Sequence, residues 1–472
     1  MRSDAYSPKH RTGPEFSDED HASSGTDAPR LALYDLRPSS IKLTLHHMNT
    51  NANTTEIPFA ALIGLDWGDN EHALALLDCA TGKIETRTLE HSPETVQAWL
   101  QTLEQRFGAR PIALALETSK GPLIHLFLEM PWLTVFPVHP ATSTRIRKAF
   151  APSGAKDDIP DAQVLLQLLV AHPDKLRALQ TDDAPTRRLA GLCEMRRKSV
   201  DQRTQVSNEL GSVLKDYFPQ ALELTGEKRY SPMALEFLGR WSDLLSLKSA
   251  RAATLQSFYH RHNVRRPEVL RQRLERIVQA KALTKDEVMV SLGRQRVRRL
   301  LELLKTLQKH IAQDEKLLQQ AFREHPESHL FRDLPGAGDC LAPRLLVAFG
   351  TDRTRYSCAA DLHKYSGVAP VKEKSGGRVW IHWRWNAPTF LRQTFIEWAG
   401  QTVVYCPWAK NYYDQQKAKG KNHWSILRSL AFIWIRILWK CWQTHTPYNE
   451  ALYLEALRKR QSPLLKLNAQ SA

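Results

Sequence analysis

The chain has 472 residues, 42% of them hydrophobic and 25% charged, a composition able to build a core and long enough for two to four domains. No run of about 18 or more apolar residues occurs, so no membrane-spanning helix is expected; MRSDAYSPKHRTGPEF at the N-terminus lacks an apolar signal segment, which points to the cytoplasm. A net charge of +16 and a pI near 9.6 suggest a nucleic acid or another anionic partner.

Residues 1–57 are rich in Ser, Asp, His, Asn and Thr, with little periodicity, and read as a disordered extension with one weak element at LALYDL. From residue 58 the pattern changes. FAALIGLDWG, HALALLDC and KIETRTLE read as three strands joined in sequence. SPETVQAWLQTLEQRFG opens on Ser92 as a helix cap and continues with helical spacing. PIALALET is a continuous apolar strand, PLIHLFLEM a helix and LTVFPVHP a further strand. Strands alternating with helices over 58–184 predict an α/β domain with a mixed sheet.

Residues 185–328 are Arg-rich and strand-poor. Within them Leu300, Leu304, Leu307, Ile311, Asp314 and Leu318 keep heptad spacing with one polar interruption. A coiled coil or helical hairpin fits, as does an amphipathic helix in a local bundle. A third block, 329–450, begins with LPGAG ahead of an apolar helix, carries VKEKSGGRVW, and then becomes helical and aromatic. LPGAGDCLAPRLL reads either as a helix-hairpin-helix turn contacting phosphate or as a tight helix connection. WIHWRW (380–385) fits base stacking, or one buried strand face, which the alternation favours slightly. Residues 451–472 read as a basic tail. The six cysteines, at 79, 193, 340, 358, 406 and 441, form no CxxC pair, so reduced thiols are expected.

Charge is unevenly spread: net −2 over 1–57, −5 over 58–184, +11 over 185–328 and +12 over 329–472. An acidic block inside a polyanion binder is explained if divalent cations offset its carboxylates, although ordinary surface variation gives the same count. Asp66 ends the strand in GLDWG and Glu117 ends PIALALE. Strand ends are rigid mounts for ligands, and they are also common places for turn residues. AKDDIPDAQVL (155–165) contains Asp157, Asp158 and Asp161. Asp158 and Asp161, three apart, share a helix face; acidic residues also suit a first turn on dipole grounds alone.

GLDWG, ALETSKGP, KDDIPDAQVL, LPGAG and HKYSGVAPVKEKSGGRVW occur in this order. The series resembles the insertion-sequence 110 family of transposases and the related Piv-type invertases, over roughly residues 60–450. The resemblance implies a RuvC-like (RNase H-like) DEDD domain at 58–184, a coiled-coil oligomerisation segment at 185–328 and a mainly helical serine transposase domain at 329–450. It implies a tetrad of Asp66, Glu117, Asp158 and Asp161 binding Mg²⁺ or Mn²⁺, with Lys156 and Ala162 completing the motif and Asp157 a bystander. Tyr365, Gly367, Pro370, Ser375 and Gly376 match the second motif, in which Ser375 is implied to be the nucleophile, acting with the tetrad in a composite site. Ser366 is the competing candidate. Lys372, Lys374 and Arg378 flank Ser375 and, with Asn386 and Arg392, are the candidate nucleic-acid-binding residues; only Asn386 and Leu391-Arg392 of the family's downstream pattern match, where a Gly-Asn pair is usual. The implied activity is recombination of donor and target double-stranded DNA, by a dimer or tetramer in the bacterial cytoplasm beside the nucleoid, directed by a bridge RNA. Two alternatives stay open: a RuvC-like nuclease that hydrolyses junction DNA with the four acids alone, and a non-catalytic nucleic-acid-binding protein.

Overall fold

The computed structural model describes residues 59–108, 110–150 and 158–462. The extension at 1–57, with LALYDL, lies outside them, as do Lys156 and Asp157. The chain divides into two compact units, 1–180 and 181–472.

The first unit is built on a five-stranded mixed sheet. Its strands are β1 (Ala61–Asp66), β2 (Glu71–Asp78), β3 (Ile84–Glu90), β4 (Ile112–Leu116) and β5 (Leu133–Pro137), in the order β3-β2-β1-β4-β5. β1, β2 and β3 form an antiparallel meander, whereas β4 and β5 run parallel to β1. The central strands are apolar along nearly their whole length because both faces are covered. On one face α1 (Pro93–Phe107) buries Val96, Trp99, Leu100, Leu103 and Phe107. Its cap is Ser92, whose side chain accepts from Thr95 N at 3.2 Å. α2 (Pro122–Leu128) covers the same face.

The other face is lined by Leu62 and Gly64 of β1, Ala73 and Ala75 of β2, and Ala113 and Ala115 of β4. Gly64 and the four alanines let α4 (Asp158–Ala171) settle close to the sheet through Ala162, Leu165, Leu166 and Leu169. At Gly64 the fit is tightest: a methyl group there would overlap the carbonyl oxygen of Ala162 and the amide nitrogen of Leu166. Between β5 and α4 lies α3 (Pro140–Phe150), an element that the apolar pattern of the sequence does not announce.

The second unit is helical apart from one hairpin. α5 (Ala184–Tyr217) and α11 (Glu287–Glu324) are long partners. Arg196 meets Glu315, Ser199 meets Asp314 and Glu209 meets Arg296, so the two helices run antiparallel. The heptad seam on α11 faces α5 of the same chain: an intramolecular helical hairpin. Its polar member is explained, because Asp314 accepts from Ser199 Oγ at 3.1 Å. Five short helices close one end: α6 (Gln220–Thr225), α7 (Pro232–Arg240), α8 (Leu244–Lys248), α9 (Ala252–Arg261) and α10 (Pro267–Gln279). They share a core with α5 and α11 around Phe237, Trp241, Phe258 and Tyr259.

At the other end, Leu189, Cys193, Leu318 and Phe322 of the long helices join the core of the C-terminal helices, so no structural break falls at 328. These are α12 (Gly338–Phe349), α13 (Ala359–Tyr365), α14 (Thr389–Tyr405), α15 (Pro407–Ala418), α16 (His423–Gln443) and α17 (Glu450–Lys459). The last corrects the expected tail over 451–459, where Asn449 caps a helix that runs to Lys459 and buries Leu457; residues 463–472 lie outside the described residues. Four tryptophans, 398, 408, 434 and 442, are fully buried here. Each indole N–H has an acceptor: Pro335 O, Tyr448 Oη, Thr402 Oγ1 and Gly350 O, at 2.7 to 3.0 Å. All six cysteines are free, and no described helix is long and apolar enough to cross a membrane.

Replacing Gly64 by Ala should destabilise the protein by about 1–3 kcal/mol, because the added methyl meets backbone that cannot move aside. Gly191→Ala, on open surface of α5, should be neutral or stabilising by up to about 1 kcal/mol. Paired thermal denaturation curves check the contrast; equal losses at both positions would refute the close-packing account.

Candidate functional site

Asp66 is the last residue of β1, and Glu117 directly follows β4. Leu65 pairs with Leu116 in the parallel register, so the two carboxylates stand at the carboxyl ends of adjacent strands. Side chains alternate along a strand. Asp66 therefore continues the Leu62–Gly64 face, and Glu117 the Ala113–Ala115 face, which is the face α4 covers. Asp158 and Asp161 occupy the first turn of α4. Asp161 immediately precedes Ala162, the residue whose carbonyl seats on Gly64 two positions before Asp66. Three of the four acids are thus tied to one face by strand register and a single helix contact, and Asp158 lies one turn from that contact.

Two of the acids have partners on α3. Glu117 Oε1 accepts from the hydroxyl of the buried Ser143. Asp161 Oδ2 accepts from Arg147 Nη1 at 2.6 Å in a half-buried ion pair. Sequence reasoning missed both Ser143 and Arg147, since α3 (PATSTRIRKAF) is short and polar, with few large apolar residues to mark it. Oxygen-only carboxylate donors on rigid strand ends suit a hard divalent cation. Yet among the described residues no three His, Cys, Asp or Glu side chains gather closely enough to hold one. In this arrangement the guanidinium of Arg147 supplies the positive charge beside Asp161, so the set fits a metal in residue type and in its strand pair but is not closed.

A ring cluster fixes the turn after Asp66. Trp67 stacks on His91 at 5.6 Å and meets His72 edge-on at 5.9 Å. The amide of Gly68 donates to His72 Nδ1 at 3.3 Å, so that nitrogen is the acceptor. The proton then sits on His72 Nε2, which donates to His91 Nδ1 at 2.9 Å. Burial, and to a lesser degree His91, holds His72 below its ordinary value of 6.5. Ala73 lies on the α4 face, so His72 points to the opposite side of the sheet, bracing the GLDWG turn from behind.

In the second unit, β6 (Val371–Ser375) and β7 (Arg378–His382) form an antiparallel hairpin. Gly376 and Gly377 have φ of 53° and 78°, two successive positive values that match a two-residue type I′ turn. Ser375 pairs with Arg378 directly across this turn, and Lys372, Lys374, Ser375 and Arg378 are all exposed. Ser366, by contrast, is fully buried, with Oγ donating to the His363 carbonyl at 3.3 Å. Gly367 (φ 72°) allows the close approach of Ala387 and Arg392. Arg392 is an internal clamp: Nη2 donates to the carbonyls of Arg384, Trp385 and Ala387 at 3.1, 3.3 and 3.3 Å. Asn386, within that clamped loop, is exposed.

The slight preference for one buried face in WIHWRW is overturned. Trp380, Ile381 and Trp385 are 49%, 67% and 69% exposed, because both faces of the hairpin look to solvent. Trp383 alone is held, between Arg428 and Arg392. The LPGAG turn is tied into the core, with Gly336 against Gln401 and Tyr405 of α14. That packing agrees with a tight connection between helices.

Two family models match the chain. A transposase model of the DEDD type covers residues 63–219, and the transposase model of the IS116/IS110/IS902 family covers 328–414. The chain belongs to the IS110 family of transposases. Over 402 residues it is 27% identical to the protein of Streptomyces coelicolor assigned as the mini-circle transposase for IS117, spanning 82% of this chain and 95% of that one. The insertion element IS110 43.6 kDa protein of the same organism is 25% identical over 83% of this chain and 96% of its own length. The insertion element IS116 44.8 kDa protein of Streptomyces clavuligerus is 23% identical over 80% and 93%. As an IS110 family transposase, the protein has DNA as its substrate. The two model matches fall on the carboxylate face and on the hairpin that carries Ser375.

The depressed pKa of His72 has a definite sign in stability. A lowered folded value stabilises the fold above the unfolded value of about 6.5 and loses that contribution as pH falls through the folded value. His325 and His363 are also lowered by burial, so the diagnostic is a difference. The Tm gap between wild type and His72→Asn should shrink steadily from pH 7.5 to 5; a constant gap would show that His72 does not titrate as the hydrogen bond from Gly68 requires.

Proposed function

We propose that this transposase cuts and rejoins DNA through a covalent serine–DNA intermediate at Ser375, assisted by Asp66, Glu117, Asp158 and Asp161 and a divalent cation. The carrying observation is the contrast between the two serines: Ser375 stands exposed at a hairpin tip opposite Arg378, whereas Ser366 is buried. Ser375 Oγ attacks a backbone phosphorus and loses its proton. The P–O3′ bond breaks, a 3′-hydroxyl leaves with a proton, and a 5′-phosphoserine ester remains. Attack by another 3′-hydroxyl reverses the step and joins a new strand, so no bond energy is lost. Arg378 offers a bidentate fork for the phosphate, and Lys372 and Lys374 add positive charge.

The four carboxylates are the residues that would hold Mg²⁺ or Mn²⁺; a bound ion supplies charge stabilisation to a phosphoryl centre. Arg147 competes for Asp161 in the arrangement described, and its displacement is part of this proposal. The strand order, a meander of three followed by two parallel strands, supports a RuvC-like reading of the first unit. The family resemblance carries the further proposals of a bridge RNA partner and a dimer or tetramer. Exposed Leu292, Leu303 and Leu317 on α11 support self-association through that helix.

Ser375→Ala should abolish both strand cleavage and the protein–DNA adduct on a denaturing gel with labelled DNA, by about a thousand-fold or more. Ser366→Ala should keep both. Cleavage retained by Ser375→Ala would instead indicate hydrolysis by the acids alone. Among the three aspartates, Asp158→Asn and Asp161→Asn should stop recombination, and Asp157→Asn should leave it largely intact; equal losses at all three would overturn the ligand assignment.

A further inference from the structure

Every residue from Lys372 to Ile381 is exposed. The register sorts these side chains into two faces. Glu373, Ser375, Arg378, Trp380 and His382 share one; Lys372, Lys374, Val379 and Ile381 share the other. Three consecutive apolar residues, Val379, Trp380 and Ile381, are thus 49%, 49% and 67% exposed on a two-stranded ribbon. A ribbon this small gains little from burying its own side chains, so the apolar surface is not there to hold the hairpin together.

Its charges identify what would cover it. The hairpin carries three cations, Lys372, Lys374 and Arg378, against a single acid, Glu373, which is already held by His382 Nε2 at 2.8 Å. A protein-binding core is depleted in lysine. Cations interleaved with an exposed indole suit a polyanion that carries flat, stackable rings. Trp380 lies two residues beyond Arg378 on the serine face, about 7 Å along the strand. That is the reach from a backbone phosphate to the base it carries.

We propose that the β6–β7 hairpin is a DNA wedge, in which Trp380 stacks on an unpaired base beside the phosphate addressed by Ser375 and Arg378. Lys372 and Lys374, on the opposite face, hold the neighbouring backbone. The inference rests on the reading of Ser375 given above and adds a function for Trp380, a residue to which the serine chemistry assigns no role. Base–aromatic stacking is sequence-tolerant, since every base offers a π-face. The wedge therefore selects opened DNA without selecting its sequence.

The test uses the full chain and a DNA duplex with a central unpaired bubble carrying 2-aminopurine, beside the fully paired duplex. Wild type should bind the bubble more tightly and change its 2-aminopurine fluorescence. Trp380→Ala should lose the fluorescence change and about ten-fold of the bubble preference, and Trp380→Phe should retain most of both. The double change Lys372→Gln, Lys374→Gln should lower the slope of log affinity against log salt by roughly two while keeping the preference. Unchanged preference and fluorescence in Trp380→Ala would overturn the inference. So would a loss confined to an RNA bubble of the same sequence. The adduct gel reads separately: adduct retained by Ser375→Ala removes the nucleophile but leaves the stacking result standing.

Discussion

The seat of α4 on the sheet at Gly64 governs the first unit. Helix backbone can come this close only where the strand presents no side chain at all, and Ala73, Ala75, Ala113 and Ala115 keep the face low on the two flanking strands. Because strand side chains alternate, the same face continues at the strand ends as Asp66 and Glu117. The acids inherit their orientation from the packing beneath them. Asp161, one residue from the contact, inherits it from the helix. A change at Gly64 would therefore reach the carboxylates through shifted backbone.

The second unit separates rigidity from reach. Its core is closed by large aromatic side chains, and the indole N–H of each of the four fully buried tryptophans has an acceptor, so the helices around Trp398, Trp434 and Trp442 have little freedom to repack. From this base Gly367 and the Arg392 clamp fix the loop at 384–387 that follows the hairpin. The strands themselves extend into solvent with Ser375 near the tip. A hydroxyl on a short ribbon that leaves a rigid support is accessible to a substrate as broad as duplex DNA, which a buried serine such as Ser366 is not.

Much of the architecture was legible because it is written in local period. GLDWG, HALALLDC and PIALALET show apolar strands, and the Leu300–Leu318 seam shows a helix that must face another. What escaped has few apolar residues or depends on contacts distant in sequence. α3 buries Ser143 but no broad apolar stripe, so nothing local separates it from a loop, although it carries the partners of Glu117 and Asp161. His72 and His91 lie 19 residues apart and meet only through the β2–β3 register. WIHWRW misled in the opposite sense: alternation predicts one face buried, and the period cannot say whether anything lies against that face.

By itself the sequence determined where the candidate groups are mounted: acids at strand ends, two acids in a helix first turn, and a serine beside a Gly-Gly turn. These follow from backbone preference and short-range spacing. Tertiary structure alone decided which groups face which. It gave Asp161 an arginine from α3, buried Ser366 while leaving Ser375 in solvent, and left Trp380 uncovered. Burial and Coulomb interaction depend on distances between residues far apart in the chain. No local pattern encodes those distances until the sheet, the long helix pair and the tryptophan core have closed.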